Sequence, residues 1–199
     1  PATAVAGEPL SIGYSIRNLS PTDLPGPCRW TDRVYLSPSP EWSEEAIELG
    51  KVNHFLSGTL LPGGGERPTG IVADTPGVLP GEYYVLVHTD VHRRIHETDR
   101  DNNWLVSDAT VRIDCRELTL DAAATGSIHP GDVDYFRLDA PGGVTIRISL
   151  EDDDGGAWNQ MFAAREAMPS RTSYDLGHAS IFTANQTLVV PRGHEAAWY

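Results

Sequence analysis

The feature that most constrains this fold is a series of short runs in which apolar and polar residues alternate. Residues 8–18, EPLSIGYSIRN, place Leu10, Ile12, Tyr14 and Ile16 at every second position. That period of two is the pattern of a strand with one buried face. The 15 prolines and 19 glycines recur between such runs, where they favour turns. The sequence therefore predicts an all-β protein.

Further strands are predicted by the same alternation and its turn signals, at WTDRVYLS (30–37), IELGKVNHF (47–55), a short stretch of GIVADTPGVLPG (70–81), EYYVLVHTD (82–90) and WLVSDATVRID (104–114). In the first of these, Trp30, Val34 and Leu36 are the predicted core positions. The last two form the strongest predicted hairpin, whose loop contains HETDRDNN (96–103). About six strands with no convincing amphipathic helix predict an immunoglobulin-like β-sandwich.

A second set of strands begins near residue 117. LTL, DYFRL and VTIRISL are predicted strands, and HPGD and APGG are predicted turns between them. Because Cys115 and Arg116 interrupt the alternation, we place a domain boundary there. The predicted domains are 1–114 and 115–199.

The charge of the chain limits its partners. Its 28 acidic and 15 basic side chains give a formal net charge of −13 over 199 residues. Such a surface repels phosphate backbones and anionic lipids, so we expect no nucleic-acid partner. No apolar run approaches the roughly 18 residues of a membrane span, so we expect no membrane insertion either.

Several motifs occur in an order that is typical of a known bacterial module. WTDRVYLS is followed by LGKVNHF, GTLLPGGG, LPGEYYVLVHTD and IHETDRDNN. By these motifs, residues 1–114 resemble the CARDB-type domain, the cell-adhesion-related domain found in bacteria, whose fold is an immunoglobulin-like sandwich. From 117 onward, ATGSIHPGDVDYFRLDAP and VTIRISLEDDD resemble a pre-peptidase C-terminal (PPC)-like module, a jelly-roll-type sandwich.

Both resemblances imply non-catalytic accessory modules of a large secreted or cell-surface bacterial protein. They also imply that the first sandwich lacks its first strand here and that the second is truncated at its C-terminus. We therefore expect an extracellular or cell-surface location. The expected partners are other domains of the same long chain, together with a surface protein or a carbohydrate.

The sequence contains no motif that predicts catalysis. There is no G-x-S-x-G, no H-E-x-x-H and no glycine-rich loop followed by lysine. Carboxylate pairs such as Glu44 with Glu45 are interpreted as solvated charges, because acid catalysis needs a cleft and a shifted pKa. We expect that the chain is not an enzyme and that it has no cofactor other than, as one alternative, calcium. No aromatic cluster indicates a ligand site.

Histidines recur every fourth residue at 88, 92 and 96, a spacing that suits a metal on a helix. His88 lies on a predicted strand and His92 in the following turn, so we interpret all three as ordinary polar positions. Cys28 and Cys115 fall at opposite ends of the predicted sandwich, about 30 Å apart for strands of roughly nine residues. We predict no disulfide between them.

HETDRDNN leaves two alternatives open, a hydrated turn or a calcium site. Asp99, Asp101 and Asn103 have the alternating spacing of a calcium loop, but Trp104 stands where an EF-hand needs glycine, which excludes that motif. The sandwich topology places loops 19–29 and 91–103 at the same end. Asp23 and Asp32 are therefore the candidate additional ligands. The alternative is a set of local Asx turns, which favour the same residue types.

Three functions follow from these patterns as expectations. The first is a non-catalytic binding or spacer role, related to adhesion, in a larger secreted or cell-surface protein. The second is an accessory role in a secreted hydrolase whose catalytic domain lies outside this chain. The third is an adhesion module that calcium makes rigid.

Overall fold

The computed structural model describes residues 2–57, 61–153, 155–178, 183–193 and 195–199. Its regular elements are β-strands apart from one short 3-10 turn at Asp101–Asn103. The all-β prediction is confirmed. Among the described residues, no helix has the length and apolar character needed to cross a membrane. The chain divides into two compact units, Pro1–Pro76 with Pro80–Asp114 and Gly77–Leu79 with Cys115–Tyr199.

The strands of the first unit follow the alternating runs of the sequence, at β1 Ala2–Val5, β2 Pro9–Arg17, β3 Cys28–Ser37, β4 Ile47–Leu56, β5 Glu66–Asp74, β6 Gly81–His88, β7 Trp104–Val106 and β8 Val111–Asp114. The larger sheet has the order β1-β8-β6-β3-β4, and β7 pairs with β6. The smaller sheet consists of β2 and β5, paired antiparallel along their whole length. β1 pairs with β8 in parallel.

The alternation in β3 directs one set of side chains towards the smaller sheet. Trp30, Val34 and Leu36 are 4%, 0% and 1% exposed, which confirms the three predicted core positions. Ile16 of β2 packs against the cluster that contains Trp30. Burying an apolar side chain of this size stabilises the fold by about 1.5–3 kcal/mol. The two sheets therefore face each other as a sandwich, and β3 lies between β6 and β4 in the larger sheet.

Gly50 of β4 lies where the smaller sheet approaches the larger one. The pairing of β3 with β4 is irregular between Val34 and Tyr35, and Gly50 is the partner of Val34. A Cβ atom at Gly50 would lie 2.6 Å from Cδ1 of Ile71 in β5. A side chain at this position would therefore require Ile71 to move.

The prediction of one strand over 104–114 is wrong, because two strands occupy that stretch. β7 pairs with the end of β6, whereas β8 pairs with its beginning. Between them, the Ser107 hydroxyl accepts a hydrogen bond from the Val85 amide at 3.0 Å. The Ser107 amide donates to the Val85 carbonyl at 2.9 Å. Both backbone groups of Val85 are therefore satisfied where β7 has ended.

The second unit contains shorter strands than the first, at β9 Arg116–Leu118, β10 Phe136–Ala140, β11 Ile146–Leu150, β12 Phe162–Ala163, β13 Leu176–Gly177, β14 Gln186–Val190 and β15 Ala197–Trp198. The described sheets are β15-β10-β9, β11-β14 and β12-β13. The core of this unit includes Leu138 and Ala140 of β10, Ile146 of β11 and Val190 of β14. The predicted strands DYFRL and VTIRISL overlap β10 and β11.

Candidate functional site

The loop that joins β6 to β7 contains HETDRDNN, and Asp90 organises its first half. Asp90 is 1% exposed and has a φ of 47°, a left-handed conformation that aspartate tolerates better than most residues. Its two carboxylate oxygens each accept one backbone amide at 2.8 Å, from Arg94 and from Ile95. Asp90 therefore fixes the turn from the inside. Its role was missed because it lies outside the acidic octapeptide.

Asp32 of β3 joins this loop to the core of the first unit. The carboxylate is completely buried, and its Oδ1 accepts the Asp90 amide at 3.2 Å. Its Oδ2 accepts the Tyr14 hydroxyl at 3.0 Å and lies 2.8 Å from Nε2 of His54. Because a carboxylate only accepts hydrogen bonds, Nε2 of His54 carries the proton in this pair. Both oxygens of Asp32 are thus occupied by protein donors.

The same contacts change the ionisation of Tyr14. Burial, the nearby charge of Asp32 and the hydrogen bond to Asp32 all raise the pKa of the Tyr14 hydroxyl well above its ordinary value of 10.0. His54 is 5% exposed, and its ring stacks on Trp30 with centroids 4.6 Å apart. Tyr14, Asp32 and His54 therefore form a polar cluster closed against the core.

Arg100 fastens the second half of the loop. Its Nη2 donates to the Ile95 carbonyl at 2.8 Å, and its Nη1 lies 3.2 Å from Oε2 of Glu97. Nη1 also lies 3.6 Å from Oδ2 of Asp90. The same Glu97 oxygen accepts the side-chain amide of Asn103 at 2.9 Å. Arg100 thus links both ends of HETDRDNN to Asp90.

The five candidate calcium ligands lie in four different settings. Asp99 and Asp101 are exposed, and Oδ1 of Asp99 accepts the Asp101 amide at 2.9 Å, which is an Asx turn. Asn103 is 9% exposed and directs its amide nitrogen to Glu97. Asp23 accepts the Gly63 amide at 3.1 Å, a contact between two loops that are 40 residues apart in the sequence. Asp32 lies beside Asp90.

Across the described part of the chain, no group of three or more His, Cys, Asp or Glu side chains is arranged to hold a metal ion. The four candidate aspartates therefore do not form such a group with one another. The calcium interpretation of HETDRDNN stays a prediction, because the Asx turn and the calcium loop use the same residues in the same spacing.

The other candidate residues from the sequence have separate environments. Burial and the nearby Arg33 and Arg93 lower the pKa of His88, whose ring stacks on Trp104. Cys28 and Cys115 are both free thiols. Burial raises the pKa of each thiol above its ordinary value.

The structure brings together an aromatic cluster that the sequence did not indicate. The outer aromatic patch consists of Tyr35, Trp42, His88 and Trp104. The Trp104 ring stacks on His88 with centroids 4.1 Å apart, and its centroid lies 6.2 Å from that of Trp42 and 6.0 Å from that of Tyr35. Trp42 is 53% exposed and Trp104 is 37% exposed. The sequence indicated no aromatic cluster that marks a ligand site, and the structure shows that these four rings lie together; whether they bind a ligand stays a prediction.

The patch escaped notice because its members are distant in the sequence. Tyr35 lies on β3, Trp42 on the loop that follows, and Trp104 on β7. Only the pairing of β3 with β6 and of β6 with β7 brings these positions together. One position in the sequence could have indicated this patch. Tyr35 alternates with Val34 and Leu36, the buried residues on either side of it in β3, and therefore points away from the smaller sheet.

Comparison with known proteins identifies structural neighbours at low similarity. The chain matches no protein-family model and no curated protein. The crystal structure of the CARDB domain of the PF1109 protein from Pyrococcus furiosus, in complex with di-metal ions, is 14% identical with a TM-score of 0.39. The alignment covers 57% of this chain and 81% of that domain.

The solution structure of the same Pyrococcus furiosus domain is 16% identical, with a TM-score of 0.37, and the alignment covers 57% of this chain and 86% of that domain. The chain is thus similar to a CARDB domain over part of its length. The resemblance of residues 115–199 to a PPC-like module stays a prediction.

Proposed function

We propose that this chain is a non-catalytic pair of β-sandwich modules that bind a surface partner or space other domains within a larger secreted or cell-surface protein, in an adhesion-related role. The observation that supports a non-catalytic role is the use of Tyr14, Asp32 and His54. These three titratable side chains form one hydrogen-bonded cluster in the first unit. The Tyr14 hydroxyl, Nε2 of His54 and both oxygens of Asp32 are occupied in holding the loop after β6, and Asp32 and His54 are 0% and 5% exposed.

Catalysis by this cluster would need a group within reach of substrate. The stacking of Trp30 on His54 covers one face of the imidazole, and the Asp90 amide occupies the remaining oxygen of Asp32. The cluster therefore stabilises the loop as a platform. A rigid loop at one end of a sandwich is a suitable surface for recognising a partner.

Turnover assays test the non-catalytic part of this proposal. The purified chain is offered chromogenic esters, peptides, phosphate esters and glycosides, beside a His54→Gln variant. We expect the same background rate for both proteins. Turnover by the native chain that disappears in His54→Gln would overturn the proposal.

The accessory role in a secreted hydrolase differs from the adhesion role only in what adjoins the chain. The full-length gene distinguishes them, because a protease or glycosidase domain beside these residues supports the hydrolase and repeated sandwiches support adhesion.

Protease digestion of intact cells, followed by detection of the chain, tests the proposed surface location. We expect the chain to be cleaved while a cytoplasmic marker survives.

A calcium-bound form is the second candidate, and the exposed carboxylates of Asp99 and Asp101 in one turn favour it. An ion that binds only the folded chain raises its melting temperature by mass action. Melts in millimolar calcium and in EDTA therefore test this form. A higher midpoint in calcium that is lost in Asp99→Asn supports the site, and equal midpoints exclude it.

A further inference from the structure

The outer aromatic patch lies on the face of the larger sheet that points away from the smaller sheet. Directly opposed residues of antiparallel strands have side chains on the same face. Arg33 of β3 pairs with His88 of β6, and His88 pairs with Trp104 of β7. Lys51 of β4 pairs with Arg33 on its other side. A row of cationic and aromatic side chains therefore crosses the sheet from Lys51 to Trp104. Trp42 contacts Trp104 at the end of this row.

Two polar side chains, Arg33 and Glu48, lie on the same face of the sheet as Tyr35 and Trp104. Nη1 of Arg33 lies 3.5 Å from Oε2 of Glu48, and both side chains are 41% exposed. The patch thus combines apolar ring surfaces with a donor and an acceptor at one side. This is the composition of a small-ligand site, in which aromatic side chains supply contact area and a few polar groups fix orientation.

The size of the patch limits its occupant. An aromatic side chain offers roughly 150–250 Å² of surface, so Trp42 and Trp104, at 53% and 37% exposure, present on the order of 200 Å² together. A stable protein interface buries about 800 Å² on each partner. The indole surface therefore matches a ring-shaped ligand better than a second protein.

The ligand chemistry follows from the rings and the charge. A pyranose with equatorial hydroxyls presents C–H groups on its ring faces, which contact the electron-rich face of an indole, and its hydroxyls project around the rim. Arg33, the cation of this row that lies nearest Tyr35, is paired with Glu48, and the chain as a whole carries a net charge of −13, which disfavours anionic polysaccharides. A neutral β-linked glycan of glucose configuration meets both conditions.

We propose that Trp42 and Trp104 form a binding site for such a neutral β-glycan, with Arg33 and Glu48 as hydrogen-bonding partners of its hydroxyls. This inference rests on the proposed binding function and names its ligand class. Trp42 and Trp104 each contact the ring face of a sugar unit of the glycan. His88 packs behind Trp104 and fixes the orientation of its ring.

Pull-down on insoluble cellulose and chitin, with calorimetric titration of cellohexaose and N-acetylchitohexaose, tests the site in the full chain. We expect binding to at least one of the two glycans and none to polygalacturonate. Trp42→Ala and Trp104→Ala are expected to weaken that binding at least tenfold. Trp158→Ala is the matched control, because Trp158 is 72% exposed in the second unit, and it should bind within twofold of the native chain.

Each outcome decides for or against the patch. The inference would be overturned if the native chain bound neither glycan, or if Trp42→Ala bound as tightly as the native chain. Neither result would affect the turnover test with His54→Gln. A native dimer that Trp42→Ala converts to a monomer in sedimentation would also overturn it, because the patch would then be a self-association surface. Because Trp42 lies in an exposed loop, its variant is expected to retain the native circular dichroism spectrum.

Discussion

Replacing Asp32 with alanine should destabilise the first unit more than any other polar substitution proposed for it. The change removes the acceptor of three hydrogen bonds, from Tyr14, His54 and the Asp90 amide. Asp32 is 0% exposed, so water does not reach its position without some opening of the fold. The variant therefore leaves buried donors that have no replacement partner.

The expected cost follows from what each donor loses. A buried polar group left without its hydrogen bond costs about 1–3 kcal/mol. Two of the three donors, Nε2 of His54 and the Asp90 amide, belong to buried residues and lose this amount in full. Tyr14 is half-buried and its hydroxyl recovers part of this loss through water, so we expect Asp32→Ala to lower the free energy of unfolding by about 4 kcal/mol.

Tyr14→Phe is the matched control, because it removes one donor and leaves the carboxylate in place. Its expected cost is about 1 kcal/mol. Urea denaturation gives both values, and hydrogen exchange of the amides in the loop after β6 shows where the loss occurs. A cost below about 1 kcal/mol for Asp32→Ala would refute the interpretation of this cluster as the support of the loop.

Three further predictions concern the same unit and the two thiols. Asp90→Ala should accelerate hydrogen exchange at least tenfold at the Arg94 and Ile95 amides, which donate hydrogen bonds to the Asp90 carboxylate. Exchange rates equal to the native ones would contradict the role of Asp90 in fixing the loop. Because Tyr14 ionises near pH 10.0 when unfolded and only at higher pH when folded, stability should fall as the pH rises above about 10, with a shallower fall in Tyr14→Phe. Some pH dependence of stability should remain in Tyr14→Phe, since burial also raises the pKa of Tyr83. Iodoacetamide at pH 8 should label Cys28 and Cys115 more slowly in the native chain than in urea, which mass spectrometry measures.

The strands of the first unit were predictable because their burial is one-sided. In β3 the alternation of Trp30, Val34 and Leu36 reports the buried face directly. The division of 104–114 into β7 and β8 was not predictable, because both strands retain the alternation expected of a single one. The break depends on Ser107 bonding to Val85 of a neighbouring strand, which no local pattern records.

The candidate site shows a different limit. Asp32 occupies an inward position of β3, where the period of two places it beside Trp30 and Val34. Alternation therefore places this side chain in the core, where a carboxylate needs partners from the protein, whereas the sequence analysis named Asp32 only as a candidate calcium ligand. Those partners, Tyr14 and His54, come from other strands, so the sequence could indicate the need for them and not their identity. The sequence did not indicate the outer aromatic patch either, because its residues also come from different strands and loops.

The parallel pairing of β1 with β8 gives the first unit a mechanical property. Ala2 lies opposite Val111, and Val5 lies opposite Asp114, so the two strands run in the same direction. Tension that enters the chain at Ala2 and leaves it at Asp114 pulls these strands past each other along their axes. The hydrogen bonds between them then share the load and must break together, whereas an antiparallel pair pulled from one end would open one bond at a time.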